Sequence, residues 1–196
     1  MTVRGKTYHQ QGGKNMLFAQ KTIVLKDGRT AILRSPKAEE AEAMLDYLKT
    51  AASETPYVLR EAEECTETVE QEALFLEAVN RSPLQVMIVC EVDGEIAGNC
   101  QLSIQRRRKV RHRASVAIAL ISKYWRLGIG AAMFEAMIGV AREHGVEQME
   151  LEFIEGNQRA QGLYEKMGFR IYGERPDAIR LKDGTSLKEY MMLLKL

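Results

Sequence analysis

Apolar and polar residues alternate over several short segments of this chain, as they do in strands with one buried face. Residues 84–92 and 95–105 flank Asp93-Gly94, a favoured two-residue hairpin turn. Residues 114–121 (ASVAIALI) are apolar at nearly every position, which predicts a strand in the middle of a sheet. The segments that predict strands are 29–35, 84–92, 95–105, 114–121, 146–154, 169–174 and 187–196.

Longer segments carry apolar residues at helical spacing and predict helices over about 36–50, 68–80, 130–144 and 158–167. Ser35 before Pro36 predicts the start of the first helix, and Thr68 with Gln71 has the spacing of a capping box. Asn157 is the expected N-cap of the last helix. The order of elements predicts an α/β (α+β) fold: a mixed, mostly antiparallel sheet of six to seven strands with one internal parallel pair, and about four helices.

Length and composition restrict the class of protein. A chain of 196 residues accommodates one well-cored domain. Residues 1–20 are predicted to be a disordered leader because they are largely polar and lack periodicity, and residues 21–196 to form a single domain. The formal net charge of +1 gives no global attraction to nucleic acid or membranes. The three cysteines form no CxxC pair, which indicates buried thiols in the cytoplasm and neither a disulfide nor a metal site.

Gly128-Ile129-Gly130 lies between the strand 114–121 and the third helix. A glycine turn that opens a helix binds phosphate through free backbone N–H groups, although a tight turn alone also explains it. A dinucleotide-binding fold is disfavoured because Met133 occupies the third glycine position and the preceding strands form antiparallel hairpins. A Walker loop is excluded because no Gly-Lys-Ser/Thr follows the glycines.

Residues 157–169 (NQRAQGLYEKMGF) resemble the GNAT superfamily of acyl-CoA-dependent N-acetyltransferases, whose pattern N-x-x-A-x-x-L-Y-x-K-x-G-F they match in full. The glycine turn then resembles the pyrophosphate loop of that superfamily, and the likeness covers about residues 22–196. One position departs from the pattern. Trp125 stands where the family usually has Gln or Arg, and Arg126 follows it.

The resemblance implies that acetyl-CoA is the cosubstrate and that the strand 114–121 splays from the strand 147–154. The pantetheine arm is expected to bind in that gap near Leu120, and the pyrophosphate to meet backbone amides between Leu127 and Ala132. A β-carbon at Gly128 or Gly130 is expected to displace the pyrophosphate. The cofactor-binding residues implied are Leu120, Ile121, Arg126, Leu127, Gly128, Ile129, Gly130, Ala131, Ala132 and Asn157.

Acetyl transfer to an amine needs a neutral nucleophile and a proton for the departing thiolate. The resemblance implies that Tyr164 supplies this proton, whereas a core tyrosine is the structural alternative. The general base stays open. The strand 114–121 offers only Ser115, and Glu152 and Glu155 are either base candidates or residues of a solvated face.

These residues predict an N-acetyltransferase that transfers acetyl to a primary amine by direct attack in a ternary complex. A non-catalytic acyl-CoA-binding module is the alternative. The acceptor is a small amine, a protein N-terminus or a lysine, with no nucleic acid or membrane partner, and the protein is a monomer or a homodimer. The basic run 106–113 is interpreted as a solvated turn or a docking surface. The acidic residues around Tyr57 form either a solvated loop or an attractive site for a cationic amine; they are Glu54, Glu61, Glu63 and Glu64.

Overall fold

Residues 15–196, which this computed structural model describes, form one eight-stranded sheet with helices on it. The strands are β1 (Lys21–Val24), β2 (Thr30–Arg34), β3 (Gln85–Val92), β4 (Glu95–Ile104), β5 (Arg113–Leu120), β6 (Gln148–Ile154), β7 (Arg170–Arg180) and β8 (Ser186–Lys195). Their order across the sheet is β1-β2-β3-β4-β5-β6-β8-β7, and only β5 and β6 are parallel. The prediction of a mixed, mostly antiparallel sheet is confirmed. The additional strand is β1, whose four residues are mainly exposed and show no apolar alternation.

Four helices accompany the sheet: α1 (Ala41–Ser53), α2 (Val69–Arg81), α3 (Ile129–Glu143) and α4 (Gln158–Lys166). The capping box of α2 is confirmed, since the Thr68 hydroxyl accepts a hydrogen bond from the Gln71 amide at 3.3 Å. Asn157 caps α4 by accepting from the Ala160 amide at 3.2 Å.

The predicted start of the first helix is wrong. A short 3-10 turn over Ala38–Glu40 precedes α1, and Ser35 caps neither element. The Ser35 hydroxyl instead accepts a hydrogen bond from the Phe18 amide at 3.0 Å. The hydroxyl is therefore used to attach the segment before β1, a distant contact that the local pattern does not encode.

The packed domain begins earlier than residue 21. Residues 1–14 of the expected leader lie outside the described residues, but Met16 belongs to the hydrophobic core and is 3% exposed. The Met16 amide also donates to the Ser82 carbonyl at 3.1 Å. The predicted burial of the cysteine thiols is confirmed, since Cys65, Cys90 and Cys100 are all buried.

The parallel strands β5 and β6 part soon after they begin. Their pairing is limited to the register of Arg113–Ser115 with Gln148–Glu150. Beyond Ser115, β5 remains paired with β4 as far as Leu120, while β6 continues alongside β8. The splay implied by the GNAT resemblance is therefore present, and it opens a gap in the middle of the sheet.

Gly128 and Gly130, at the start of α3, are required for two different reasons. Gly128 is the N-cap and has φ +94°, in the left-handed region that favours glycine. Gly130 has an ordinary φ, but a β-carbon there would lie 2.8 Å from Cδ2 of Leu163 on α4. A packing contact between α3 and α4 therefore favours a small residue at Gly130, in addition to the expected approach of the pyrophosphate.

We expect Gly130→Ala and Leu163→Ala to be strongly non-additive in the free energy of unfolding. In the wild-type background the new methyl group collides with Leu163, and this strain cancels or exceeds the gain of about 0.5–1 kcal/mol in helix propensity. In the Leu163→Ala background the collision disappears and the gain remains. Urea unfolding of the four proteins should give a coupling energy of about 1 kcal/mol or more.

Gly139→Ala in the same helix is the matched control, because its β-carbon would meet nothing within 4 Å. It should stabilise the protein equally in both backgrounds. Additivity of Gly130→Ala and Leu163→Ala within about 0.3 kcal/mol would contradict the packing account of Gly130.

Candidate active site

A cleft of about 610 Å³ occupies the gap between β5 and β6. One wall is the end of β5 from Val116 to Leu120, which is unpaired on the side toward β6, and the other is formed by Leu151–Phe153 of β6. The rest of the lining comes from the start of α3, from α4, and from the segment after α1, Thr55 to Arg60.

The end of β5 presents backbone hydrogen-bonding groups to this cleft. The Gln105 amide donates to the Arg113 carbonyl, and the Ile121 amide donates to the Ala97 carbonyl. In an antiparallel ladder, hydrogen-bonded and non-hydrogen-bonded residue pairs alternate. These two bonds therefore show that the odd-numbered residues of β5 direct their backbone N–H and C=O groups toward β4. Ile118 and Leu120 therefore direct their amide groups toward the gap, where no strand pairs with them.

The loop between β5 and α3 is shaped for an anion. Arg126 has φ +66° and Gly128 has φ +94°, so the backbone turns sharply twice before the helix begins. The first-turn N–H groups of a helix lack intrahelical partners, and the helix dipole adds partial positive charge there. The amide of Ala132 is not among the free groups, since it donates to the Gly128 carbonyl at 3.2 Å.

Trp125 connects three parts of the site. Its indole Nε1–H donates to the Leu120 carbonyl at the end of β5, with a distance of 2.8 Å. The guanidinium carbon of Arg159, in the first turn of α4, lies 3.4 Å from the centre of the indole ring. Trp125 thus joins β5, the glycine loop and α4. Because the indole occupies the Leu120 carbonyl, the amide is the one backbone group of Leu120 that remains available to a ligand.

The charge of the cleft is strongly one-sided. Glu152 is the one carboxylate among its lining residues, whereas the cationic side chains are Lys26, Arg60, Arg126, Arg159 and Lys166. Arg60 is paired with Glu67. The other four cations form no ion pair with any carboxylate of residues 15–196. A polyanionic ligand therefore suits this cleft better than a cationic one.

Tyr164 lies at the base of the cleft within an aromatic cluster. Its ring contacts Phe134, Phe153 and Phe169, with centroid separations of 5.6, 6.0 and 6.3 Å. The residue is 7% exposed, and burial raises the pKa of its hydroxyl to about 12. The phenol is therefore protonated throughout the neutral pH range.

The Tyr164 hydroxyl makes no hydrogen bond to any residue of the described chain. The hydroxyl is not fully buried either. Among residues 15–196, Glu72 Oε1 is the only side-chain oxygen or nitrogen that is both fully buried and without a hydrogen-bond partner, so the Tyr164 hydroxyl keeps some accessible surface. Buried tyrosine hydroxyls ordinarily have a hydrogen-bond partner. This one is held in place by its ring and directed into the cleft, where a ligand can meet it.

The two candidates for the general base, Glu152 and Glu155, and Ser115 on β5 lie in different environments. Ser115 does not line the cleft, and its hydroxyl accepts from Gln105 Nε2 at 3.3 Å. Glu155 accepts from the Lys188 amide at 3.1 Å and so serves the β6–β8 edge. Glu152 lines the cleft, and its half-exposed side chain lies 3.4 Å from Arg175 Nη2. Only Glu152 shares the cleft with Tyr164.

The acidic residues around Tyr57 are engaged within the fold. Glu54 accepts from the Ser122 amide and hydroxyl, and Glu61 and Glu63 pair with Lys182. Glu64 accepts from the Glu61 amide at 2.9 Å. The interpretation of these carboxylates as an attractive site for an amine therefore loses its support, since each already has a partner.

Tyr57 and Lys182 position the segment after α1. The Tyr57 hydroxyl donates to the Gly156 carbonyl at 3.0 Å, next to the start of α4. Lys182, in the β7–β8 turn, pairs with Glu61 and Glu63, directly after this segment. Between that turn and the segment lies a second cleft of about 600 Å³, which shares Thr55, Val58, Leu59 and Arg60 with the first.

The structure brings most of the implied cofactor residues together. Those that line the first cleft are Leu120, Arg126, Gly128, Ile129, Gly130, Ala131 and Asn157. Ile121, Leu127 and Ala132 do not line it. The side chain of Ile121 is buried in the core, and the carbonyl of Leu127 accepts from the Lys26 amide. The sequence reasoning missed Arg159, whose contact with Trp125 depends on how α4 packs.

The basic run lies away from the cleft. It connects β4 to β5 and therefore lies at the opposite end of β5 from Leu120. Arg106, Arg107, Arg108, Lys109 and Arg111 are exposed, as a solvated turn requires. Among residues 15–196, no helix is long and apolar enough to cross a membrane, and no cluster of three potential metal ligands occurs.

Known proteins share this sequence and this architecture. The family model "Acetyltransferase (GNAT) family" matches residues 44–169. An N-alpha-acetyltransferase of Sulfurisphaera tokodaii is 35% identical over 91 residues, which are 42% of this chain and 54% of that protein. The L-amino acid N-acetyltransferase AaaT of Escherichia coli is 26% identical over 58% of this chain and 69% of its own length. The match thus spans about half the length of the first of these relatives.

Two solved structures have the same fold. A GNAT-family acetyltransferase from Streptococcus pneumoniae superposes with a TM-score of 0.80 and 25% identity, covering 85% of this chain and 99% of the other. The protein yncA of Salmonella typhimurium, solved with its cofactor acetyl-CoA, has a TM-score of 0.71 and 20% identity over 84% of this chain and 92% of its own. The family match, the splayed parallel strands and the glycine loop agree, and this chain belongs to the GNAT acetyltransferase family.

Proposed function

We propose that this protein is an N-acetyltransferase that transfers the acetyl group of acetyl-CoA to a primary amine by direct attack, using one domain that begins near Met16. The observation that carries the proposal is the Tyr164 hydroxyl. It is protonated, has no hydrogen-bond partner among residues 15–196, and opens into the cleft between β5 and β6. A purely structural tyrosine gains nothing from that arrangement, whereas a proton donor needs it.

The residues of the cleft fit acetyl-CoA. Its phosphates suit the free amides at the start of α3 and the cations around them, and its pantetheine arm suits the unpaired amides of Ile118 and Leu120. In this assignment Arg126, Gly128, Ile129, Gly130 and Ala131 form the phosphate site, and Asn157 flanks it at the start of α4. The cosubstrate supplies a thioester, whose carbonyl carbon is the electrophile.

Two side chains of the cleft carry the proton transfers. Glu152 takes the proton that the amine loses, which leaves a neutral nitrogen to attack the carbonyl carbon. When the bond to sulfur breaks, Tyr164 gives its hydroxyl proton to the departing thiolate. The attacking nitrogen releases its second proton to solvent as the amide forms, Glu152 releases the proton that it took, and the tyrosinate recovers one. The net reaction converts an alkylammonium ion and a thioester into an amide, a thiol and a proton.

The acceptor is proposed to enter past the segment that separates the two clefts. Thr55, Val58, Leu59 and Arg60 line both clefts, so an amine held in the second lies next to the first. The names of the relatives from Sulfurisphaera tokodaii and Escherichia coli refer to an α-amino group and to an L-amino acid. We therefore propose an α-amine, of an amino acid or of a protein N-terminus, ahead of lysine and other small amines.

Tyr164→Phe should lower kcat by roughly 10²- to 10⁴-fold, the usual effect of one positioned acid. The ring contacts with Phe134 and Phe153 persist, so the melting temperature and the Kd for acetyl-CoA should change little. The loss should be smaller for acyl donors with a more acidic thiol, because a better leaving group needs less help. Thiol release with a panel of α-amines measures the rates.

Tyr172→Phe, at an exposed position on β7, is the control and should leave turnover unchanged. Equal turnover of wild type and Tyr164→Phe with every donor would make Tyr164 structural. Binding of acetyl-CoA by the wild type without transfer to any amine would favour a non-catalytic binding module.

Glu152→Gln should lower kcat/KM by roughly 10²-fold or more near neutral pH, because the charged amine then lacks its proton acceptor. The deficit should shrink as the pH rises, since a growing fraction of the acceptor arrives already neutral. Glu165→Gln, an exposed change on α4, is the control and should follow the wild-type profile. A deficit that stays constant from neutral to alkaline pH would assign Glu152 a role in positioning Arg175 and not in proton transfer.

A further inference from the structure

We infer that Arg159, held against the indole ring of Trp125, binds the pyrophosphate of the acyl-CoA, and that this pair takes the place of the Gln or Arg that the family usually carries at position 125. The inference rests on the proposed use of acyl-CoA. It adds a cofactor-binding residue that lies outside the glycine loop.

Successive turns of α4 place Arg159 beside the anion loop. Arg159 and Leu163 are four residues apart in one helix and therefore lie on the same face. Leu163 packs at Gly130, at the start of α3, so near that a β-carbon there would be 2.8 Å from it. One turn earlier on the same face, Arg159 stacks on Trp125 at 3.4 Å. The guanidinium thus lies along the glycine loop and not out in solvent.

The charge of Arg159 is available to a ligand. Among residues 15–196 it has no ion pair with any carboxylate, and it lines the cleft together with the free first-turn amides of α3. A guanidinium stacked on an aromatic face keeps its N–H groups at the edge free. These edge groups match the bidentate geometry of phosphate oxygens, which backbone amides alone do not provide.

Trp125 restricts the guanidinium before any ligand arrives. Its Nε1–H bond to the Leu120 carbonyl fixes the ring plane relative to β5. A long arginine side chain loses considerable rotamer entropy when it is immobilised on binding. Stacking on a fixed ring removes part of that loss in advance, so the tryptophan contributes to affinity through Arg159.

The test measures Kd by calorimetry for CoA, for dephospho-CoA, which keeps the pyrophosphate but lacks the 3′-phosphate, and for pantetheine, which has no phosphate. Arg159→Gln should weaken CoA and dephospho-CoA by the same factor, roughly 10-fold or more, and leave pantetheine unchanged. Arg142→Gln, an exposed change in the last turn of α3, is the matched control and should alter none of the three. Arg159→Lys should recover only part of the affinity, because it keeps the charge but loses the planar fork.

The role of the ring is tested separately. Trp125→Leu should weaken CoA nearly as much as Arg159→Gln does, and the double variant should be no weaker than the worse single variant. Trp125→Phe keeps a ring but loses the bond to Leu120, so its affinity for CoA should lie between those of the wild type and of Trp125→Leu. In the unliganded protein, Arg159→Gln should also change the emission of Trp125, the only tryptophan of the chain.

Several results would overturn the inference. A loss restricted to CoA would assign Arg159 to the 3′-phosphate, and an equal loss for pantetheine would make it a general structural residue. If wild type binds and uses acetyl-CoA while Arg159→Gln binds it equally well, the inference is wrong and the proposed function stands. If wild type binds no CoA, both are wrong.

Discussion

The parting of β5 and β6 is the constraint on which the rest of this site depends. Two parallel strands pair through three residues and then diverge, although each keeps its antiparallel neighbour on the other side. The divergence leaves backbone amides of β5 without partners in the middle of a sheet, a state that costs free energy unless a ligand or solvent satisfies them. The same divergence makes room for α4 to direct Tyr164 at the gap from one side while β6 presents Glu152 from the other.

A side chain from α1 and another from the loop after β5 bond to carbonyls at the open end of β5. The Tyr47 hydroxyl donates to the Ala119 carbonyl at 2.9 Å, and the indole of Trp125 donates to the next carbonyl, that of Leu120. Tyr47 is buried in the core, and burial raises the pKa of its hydroxyl well above the usual range, so it stays a donor. The Ala119 carbonyl lies on the β4 side of the strand, whereas the Leu120 carbonyl faces the gap. The indole of Trp125 therefore occupies an acceptor of the cleft and leaves the Leu120 amide free. The cleft presents this amide together with an excess of cationic side chains, which suits an anionic ligand.

The caps and the hairpin turn that the sequence predicted depend on interactions between residues close together in the chain. The capping box of α2 and the Asn157 cap involve residues three apart, and the Asp93-Gly94 turn involves adjacent residues. The order of elements and the GNAT pattern of residues 157–169 then sufficed for the parallel pair and for a site at its gap. Leu120 does line the cleft, but the sequence did not reveal that Trp125 already uses its carbonyl.

What the sequence could not predict depends on packing between segments far apart in the chain. β1 is short and exposed, so it has no apolar alternation and is recognisable only by its pairing with β2. The packing of Leu163 at Gly130 and the stacking of Arg159 on Trp125 likewise join segments that no local pattern connects. The acidic residues near Tyr57 resemble a free anionic surface in the sequence because their partners, Ser122 and Lys182, come much later in the chain.

The central claim is that the gap between β5 and β6 holds the reacting end of acyl-CoA against Tyr164. A crystal structure with CoA and an acceptor amine tests it most directly. The account predicts the thiol sulfur between β5 and β6, at about 3–4 Å from the Tyr164 hydroxyl, with the pyrophosphate at the first turn of α3. A thiol that lies outside the gap, or a Tyr164 hydroxyl turned away from it into the core, would contradict the account.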